Sequence, residues 1–458
     1  LTPQLTHSLT VSALLSPNTH THSLPAHKLM SVSRLAKTLA ANPIVLVDGV
    51  RIPFMRQMGA YKDHLSYNLG RLAVKGLIAK TAVDPSAVDY VTFGSVAQEV
   101  RTHNIAREVA IGSGLPLTVA AHTVSQACIS SNQAISTGVE KILAGTADVV
   151  IAGGAETFSD APIRLSRKLR QKLIGSQKHK TPMAKLGGIL SGLSLKDLAP
   201  ETPAIKNFAT DETMGSSSDR LAAKWGVSRL EQDAFAIRSH ANAAAATAAG
   251  LLKEEIVAVN GIDEDDTIQT GLKPKYSTME EQYAALNPAF IRPHGTHTAA
   301  NSSGFADGAA ACLVTSAAKA EELGLAPKAH IRGWNFVATD PFEEMLLGPA
   351  YAIQRLLSDH ALVIDDIDVW EIHEAFAGQL LSNVNALQHE SFGVGEIPME
   401  KLNTLGGSLS LGHPFGATGA RLVTTAANRL KREDGRFAVL SACADSGLAT
   451  AMLLERAN

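Results

Sequence analysis

Residues 138–154 run GVEKILAGTADVVIAGG: helical spacing, a glycine turn, then a short apolar strand. The pattern predicts a helix over 132–144 and a buried strand at Val149-Val150-Ile151. The same order returns at 419–443, GARLVTTAANRLKREDGRFAVLSAC, as a helix followed by the strand FAVLSAC. A second pair reinforces it. VDPSAVDYVTFG (83–94) and VIDDIDVWEIH (363–373) each read as a polar turn and then a strand. Further strands are expected at Ile44–Val47 and Val91–Phe93, with a helix over 65–80. Helices alternating with short apolar strands define an α/β fold. The repeat implies two similar halves whose strand ends face one shared site, where groups in such sheets act.

The chain has 458 residues, enough for two or three domains with ample core. A formal charge of −3 gives no argument for a nucleic-acid partner. Three cysteines cannot form a disulfide framework, which points to a reducing compartment. CxxC, HExxH, a P-loop and any 18-residue apolar run are all missing. Zinc hydrolase, nucleotide kinase and integral membrane protein are therefore poor readings. Residues 1–47 hold no Asp or Glu but carry Lys28, Arg34, Lys37 and many Ser and Thr. That composition fits a mitochondrial transit peptide, the alternative being a disordered tail. The carboxyl end, Glu-Arg-Ala-Asn, is not the Ser-Lys-Leu peroxisomal address.

Between the halves, about 159–290, the character changes. Arg164, Arg167, Lys168, Arg170, Lys172, Lys178, Lys180 and Lys185 face only Asp160 before Asp197. Leu165, Leu169 and Leu173 recur every four residues, as a helical stripe, and Leu186, Ile189, Leu190 and Leu193 repeat the pattern. A basic amphipathic segment over 163–196 suits an anionic membrane surface or a partner. An ordinary surface helix packed on its own domain is the alternative.

Cys128 lies in HTVSQACISSNQAISTGVEKIL, at the turn between a strand and a helix. Backbone N–H groups and the positive end of the helix dipole favour its thiolate, although an inert core thiol fits the residues too. His413 sits in NTLGGSLSLGHPFGATG (403–419), which has five glycines. Backbone so unencumbered can approach a ligand, and the histidine can take a thiol's proton; an incidental loop histidine is the alternative. His373 and Glu374 follow an apolar strand, as does Cys443 in SACADSG. Cys312 in GAAACLVTS reads as a buried strand residue.

Taken together these blocks resemble the thiolase family, from about Asn42 to the end. They are VDGVRIPF (47–54), the Cys128-Ile-Ser block, SRLEQDAFAIRSH (228–240), TAANSSGFADGAAA (298–311), His373-Glu-Ala-Phe376, GGSLSLGHPFGATG (406–419) and the Cys443 block. His-Glu-Ala-Phe, where most thiolases have Asn-Glu-Ala-Phe, and the basic insertion are similar to the branch formed by β-subunits of trifunctional complexes. The resemblance implies a thiolase fold: two βαβαβαββ halves in a five-layered αβαβα core with an inserted loop domain. It divides the chain into a leader (1–42), an N-terminal half (43–160, returning at 297–326), a loop domain (161–296) and a C-terminal half (327–458).

It also implies 3-ketoacyl-CoA thiolysis. Cys128 is acylated, His413 accepts its proton, Cys443 is the acid/base, and His373 replaces asparagine in an oxyanion hole. Met214, Ser303 and Phe376 match positions that contact pantetheine. CoA is a substrate, with no metal or redox cofactor. The implied partners are a second copy of the chain and an α-subunit with hydratase and dehydrogenase activities. The chain departs from the family at Cys443-Ala-Asp445, where Cys-x-Gly is usual. A carboxylate there opposes negative charge developing nearby. Two other readings remain. One is a ketoacyl-synthase-type condensing enzyme, which needs no second cysteine; the other is a scaffold with weakened catalysis.

Overall fold

The computed structural model describes residues 33–457. Residues 1–32 of the expected leader lie outside them. Its last part does not belong to a tail: residues Arg34–Ala41 form a helix capped by Ser33, with Leu39 fully buried. That leucine joins the central core, so the folded chain begins ahead of residue 43.

Ten strands follow: β1 (Ile44–Arg51), β2 (Met55–Arg56), β3 (Tyr90–Gly94), β4 (Ala120–Val124), β5 (Val149–Glu156), β6 (Ala306–Ser316), β7 (Ala329–Ala338), β8 (Val369–Ile372), β9 (Phe437–Cys443) and β10 (Leu448–Arg456). They form one sheet in the order β4-β3-β5-β6-β1-β7-β10-β9-β8, with β2 attached to β6. Read outward from the β1/β7 junction, the two sides match. β6, β5 and β3 on one side correspond to β10, β9 and β8 on the other. In each half the first two pairings are antiparallel and the third is parallel. The place of β4 is taken in the second half by a single parallel bridge, Trp370 to Leu402. Three antiparallel residue pairs, Ile44–Leu46 with Ala329–Ile331, join the halves.

Strand alternation distributes the side chains between two faces, as the two-residue period of a pleat requires. Ala152 and Val314, with Leu440 and Met452 from the other half, pack on helices Ser130–Leu143 and Thr418–Arg432. Their neighbours Ile151 and Leu313 face the opposite way, against helices Ser66–Thr81 and Ile105–Gly112. Val439 and Leu453 pack instead on helices Gly348–His360 and Ala377–Gln388. Five layers result, and the central helical pair is the one that leads from Cys128 and from the His413 loop.

Residues between β5 and β6 form the inserted region. Its anchor is ionic. Arg51, fully buried on β1, donates to Glu255 at 2.7 Å and to both oxygens of Asp265 at 2.6 and 2.9 Å. Thr425 of the central helix donates to the other Glu255 oxygen at 2.8 Å. Removing one member of such a buried set leaves an uncompensated charge at a cost of about 3–5 kcal/mol.

The basic segment forms two short helices, Arg167–Ser176 and Pro182–Leu190. Leu165 does not share their stripe. Ser166 caps the first helix by accepting from the Leu169 N–H, so Leu165 precedes it. Lys168 and Arg170 are paired with Asp197 and Glu201, each at 2.8 Å. Arg164, Arg167, Lys172, Lys178, Lys180 and Lys185 form no ion pair among the described residues. Beside them Leu173, Ile174, Met183, Leu186 and Leu190 stand exposed. No helix among the described residues is long and apolar enough to cross a membrane.

Candidate active site

Cys128 occupies a tight turn between β4 and helix Ser130–Leu143. Ala127, immediately before it, is held at φ 46°, a left-handed conformation that costs a non-glycine residue about 1 kcal/mol or more. Ser130 fixes the turn: its hydroxyl donates to the Ala127 carbonyl at 2.7 Å and accepts from the Gln126 N–H at 2.8 Å. The expected stabilisation of the thiolate by the helix end does not win. Burial, then the fields of Cys443, Asp445 and Glu156, push the Cys128 thiol well above its ordinary range. It is neutral at physiological pH and needs a base.

Two histidines supply candidates. His373 follows β8, and His413 follows the short helix Ser408–Leu411; both are buried. The Cys128 sulfur and one ring nitrogen from each histidine lie within 4.8 Å of one another, and the two rings are 4.2 Å apart, centre to centre. His373 Nδ1 meets Ser408 Oγ at 2.9 Å, and His413 Nδ1 meets Thr418 Oγ1 at 2.7 Å. Both Nε2 atoms are buried without a partner among the described residues. Burial, aided by the Arg421 charge, pushes His373 down to about 3. Burial, then His373 and Arg421, holds His413 well below its usual value. The trio is therefore one thiol and two neutral imidazoles.

His413 is carried by a loop of the second half that docks on the first. Glu156, ending β5, accepts from the Gly416 N–H at 3.0 Å and from the Val96 and Ala97 N–H groups at 3.0 and 2.9 Å. Burial pushes this carboxyl up to about 7 despite those donors. The His413 N–H itself donates to the Gly304 carbonyl at 3.0 Å.

Cys443 ends β9, buried, its thiol pushed up by burial to about 12. Asp445, two residues on, is turned toward the inserted region: its Oδ1 accepts from Asn207 Nδ2 at 2.7 Å and from the Ser446 N–H at 2.6 Å. Its charge still reaches Cys128. Met214 opens helix Met214–Lys224 and, with Phe376, packs on the core of the second half. Ser303 donates its N–H to the Ala375 carbonyl at 3.0 Å, within the segment that also holds His413. Cys312 lies fully buried in β6, as expected of a structural residue.

Comparison with known proteins places this geometry. The model "Thiolase, N-terminal domain" matches residues 44–318, and "Thiolase, C-terminal domain" matches 325–456. The chain belongs to the thiolase family. Among curated members, it is 47% identical over 451 residues to "Trifunctional enzyme subunit beta, mitochondrial" of Mus musculus, covering 96% of this chain and 94% of that protein. It is 45% identical to "Probable 3-ketoacyl-CoA thiolase" of Caenorhabditis elegans, covering 93% of this chain and 96% of the relative. A crystal structure of the Bacillus anthracis acetyl-CoA acetyltransferase superposes with a TM-score of 0.77 at 30% identity, covering 91% of this chain and 99% of that one. The fold is the thiolase fold.

Within this thiolase framework the sequence singled out the reactive atoms but not their supports. Glu156, Ser408, Thr418 and Arg421 were missed. Two signals were available: an acid closing the otherwise apolar strand VVIAGGAE, and an arginine on the apolar face of the helix beginning at Thr418.

Proposed function

We propose that this chain is a 3-ketoacyl-CoA thiolase of fatty-acid β-oxidation, an acetyl-CoA C-acyltransferase working by a ping-pong acyl-cysteine mechanism. The observation that carries the reading is the cluster of the Cys128 thiol with two neutral imidazoles whose Nε2 atoms have no partner among the described residues. Cys128 gives its proton to His413, and its sulfur attacks the ketone carbon of the substrate. The bond between Cα and Cβ breaks, and the electron pair passes to the thioester end as an enolate. Its oxygen is held by His373 and His413. Cys443 protonates the enolate carbon, releasing acetyl-CoA. Free CoA then gives its thiol proton to Cys443, and its sulfur takes the acyl group from Cys128. The Cys128 thiolate recovers the proton held on His413. No metal or redox group enters this sequence, and CoA is a substrate.

Met214, Ser303 and Phe376 are assigned to the pantetheine arm. An open cleft of about 530 Å³ at the start of the Met214 helix, lined by Thr213 and Ser216 with Lys206, Arg220 and Phe342, supports entry from the inserted region. Relatives named as mitochondrial trifunctional enzyme β-subunits support a mitochondrial location, and we extend it to the matrix face of the inner membrane. The same relatives support an α-subunit partner. The half-exposed edge strand β4 supports a homodimer, since an uncovered edge invites pairing with its own copy. The exposed leucines and unpaired cations of the two basic helices support contact with an anionic membrane. Reversing Lys172, Lys178, Lys180 and Lys185 together abolishes cosedimentation with cardiolipin-containing vesicles on this reading; undiminished binding would rule the patch out.

The scaffold alternative draws on Asp445 alone. Incubating the protein with 3-ketohexadecanoyl-CoA and CoA separates the two. Loss of the 3-keto absorbance that disappears in Cys128→Ala supports the enzyme, and no turnover with a partner subunit present supports the scaffold.

A further inference from the structure

The two site histidines make the same kind of contact, an Nδ1 atom against a hydroxyl, but the hydroxyls are not in the same state. Ser408 Oγ lies 3.3 Å from Arg421 Nη2. A guanidinium only donates, so Ser408 is its acceptor, and the serine's own proton must go elsewhere. His373 Nδ1, at 2.9 Å, is the remaining partner of this fully buried hydroxyl among the described residues. The ring therefore accepts at Nδ1 and carries its proton on Nε2. Thr418 is the reverse case. Its hydroxyl donates to the Pro414 carbonyl at 3.0 Å, which cannot donate in return. Thr418 Oγ1 is left to accept from His413 Nδ1 at 2.7 Å, and His413 Nε2 carries no proton.

We propose that Ser408, oriented by Arg421, is a positioning residue that fixes His373 as an Nε2–H donor, while Thr418 fixes His413 as an Nε2 acceptor. The consequence for catalysis rests on the thiolase reading; the placement of the protons does not. One ring can take the Cys128 proton, and the other can only donate to a developing oxyanion. Two acceptors would leave the enolate oxygen without a donor at the start, and two donors would leave the thiol without a base. Arg421 is itself held by Glu371, which also binds Arg429 at 2.9 Å, so the orienting chain runs from a buried ion cluster to the reacting oxygen. Burial, with the Arg421 charge added to it, keeps both rings neutral before substrate arrives.

The test uses full-length protein with 15N-labelled histidine, read by long-range proton–nitrogen correlation. Signals are assigned by their loss in His373→Asn and His413→Asn. The expected spectrum has a pyridine-like Nδ1 and pyrrole-like Nε2 for His373, with the opposite pattern for His413. Ser408→Ala is expected to blur the His373 pattern into exchanging tautomers and lower kcat roughly 100-fold. KM and the rate of Cys128 alkylation by iodoacetamide stay within about two-fold, since base and pocket are untouched. A pyrrole-like Nδ1 on His373 in the unmodified protein overturns the proposal, whether or not Ser408→Ala folds. So does a Ser408→Ala variant that retains wild-type kcat. The predicted nitrogen pattern in a protein without thiolysis would instead overturn the thiolase reading and leave the proton placement standing.

Discussion

Gly154, in the stretch 138–154, tests whether the first half sets the position of the second half's catalytic loop. A methyl group built there lies 2.6 Å from the Gly416 carbonyl carbon and overlaps its oxygen outright. Carbon atoms in contact sit about 3.5–4.0 Å apart, so Gly154→Ala requires the loop to retreat by about 1 Å. That loop carries His413 three residues earlier and is clipped to Glu156 two residues beyond Gly154. Overpacking of this kind costs about 1–3 kcal/mol in stability. A displacement near 1 Å at a reacting group costs on the order of 10²-fold in rate. The assay pairs urea denaturation with thiolysis of 3-ketohexadecanoyl-CoA, and kcat should fall far more than stability predicts. Wild-type kcat in a folded Gly154→Ala protein would refute the idea that this contact positions His413.

Asp265→Ala should lower unfolding free energy by about 3–5 kcal/mol in denaturant titrations, because it leaves Arg51 charged and half-paired in the core; a loss below about 1 kcal/mol would mean the cluster relaxes. Asp445→Gly should raise kcat about five-fold, the effect of one screened charge some ångströms from the reacting sulfur, and unchanged turnover would make the carboxylate a spectator. His373 is pushed down to about 3, so as pH falls below about 6.5 the unfolded chain binds a proton that the folded chain refuses. Its contribution is full above pH 6.5 and is lost toward pH 3. His373→Asn should therefore flatten the acid limb of the stability curve, and an unaltered limb would place the cause in other groups.

The two halves were legible because helix and strand periods survive in single stretches. The pairs 138–154 with 419–443 and 83–94 with 363–373 fall on equivalent elements, β5 with β9 and β3 with β8. The junction of β1 with β7 was not legible, since three residue pairs joining elements nearly 300 residues apart leave no local pattern. Spacing alone puts Leu165 on a helix because it ignores Ser166, whose side chain caps a helix that begins only at Arg167. Cys128, His373, His413 and Cys443 were visible as polar residues closing apolar strands or lying in glycine-rich turns. The state of Cys128 was not, because helix-end stabilisation can be read from sequence order, whereas burial and the approach of Asp445 and Glu156 arise only in the folded chain. Ser408 and Arg421 escaped notice for the same reason: their partners come from β8 and the loop after it.

The most direct test of the account is to trap the covalent intermediate. Protein mixed with 3-ketohexadecanoyl-CoA without free CoA should release one acetyl-CoA per chain and gain the mass of a shortened acyl group. Peptide mapping should put that group on Cys128, and added CoA should remove it. Acylation of Cys443 instead, or acetyl-CoA release with no covalent species on Cys128, would contradict the account.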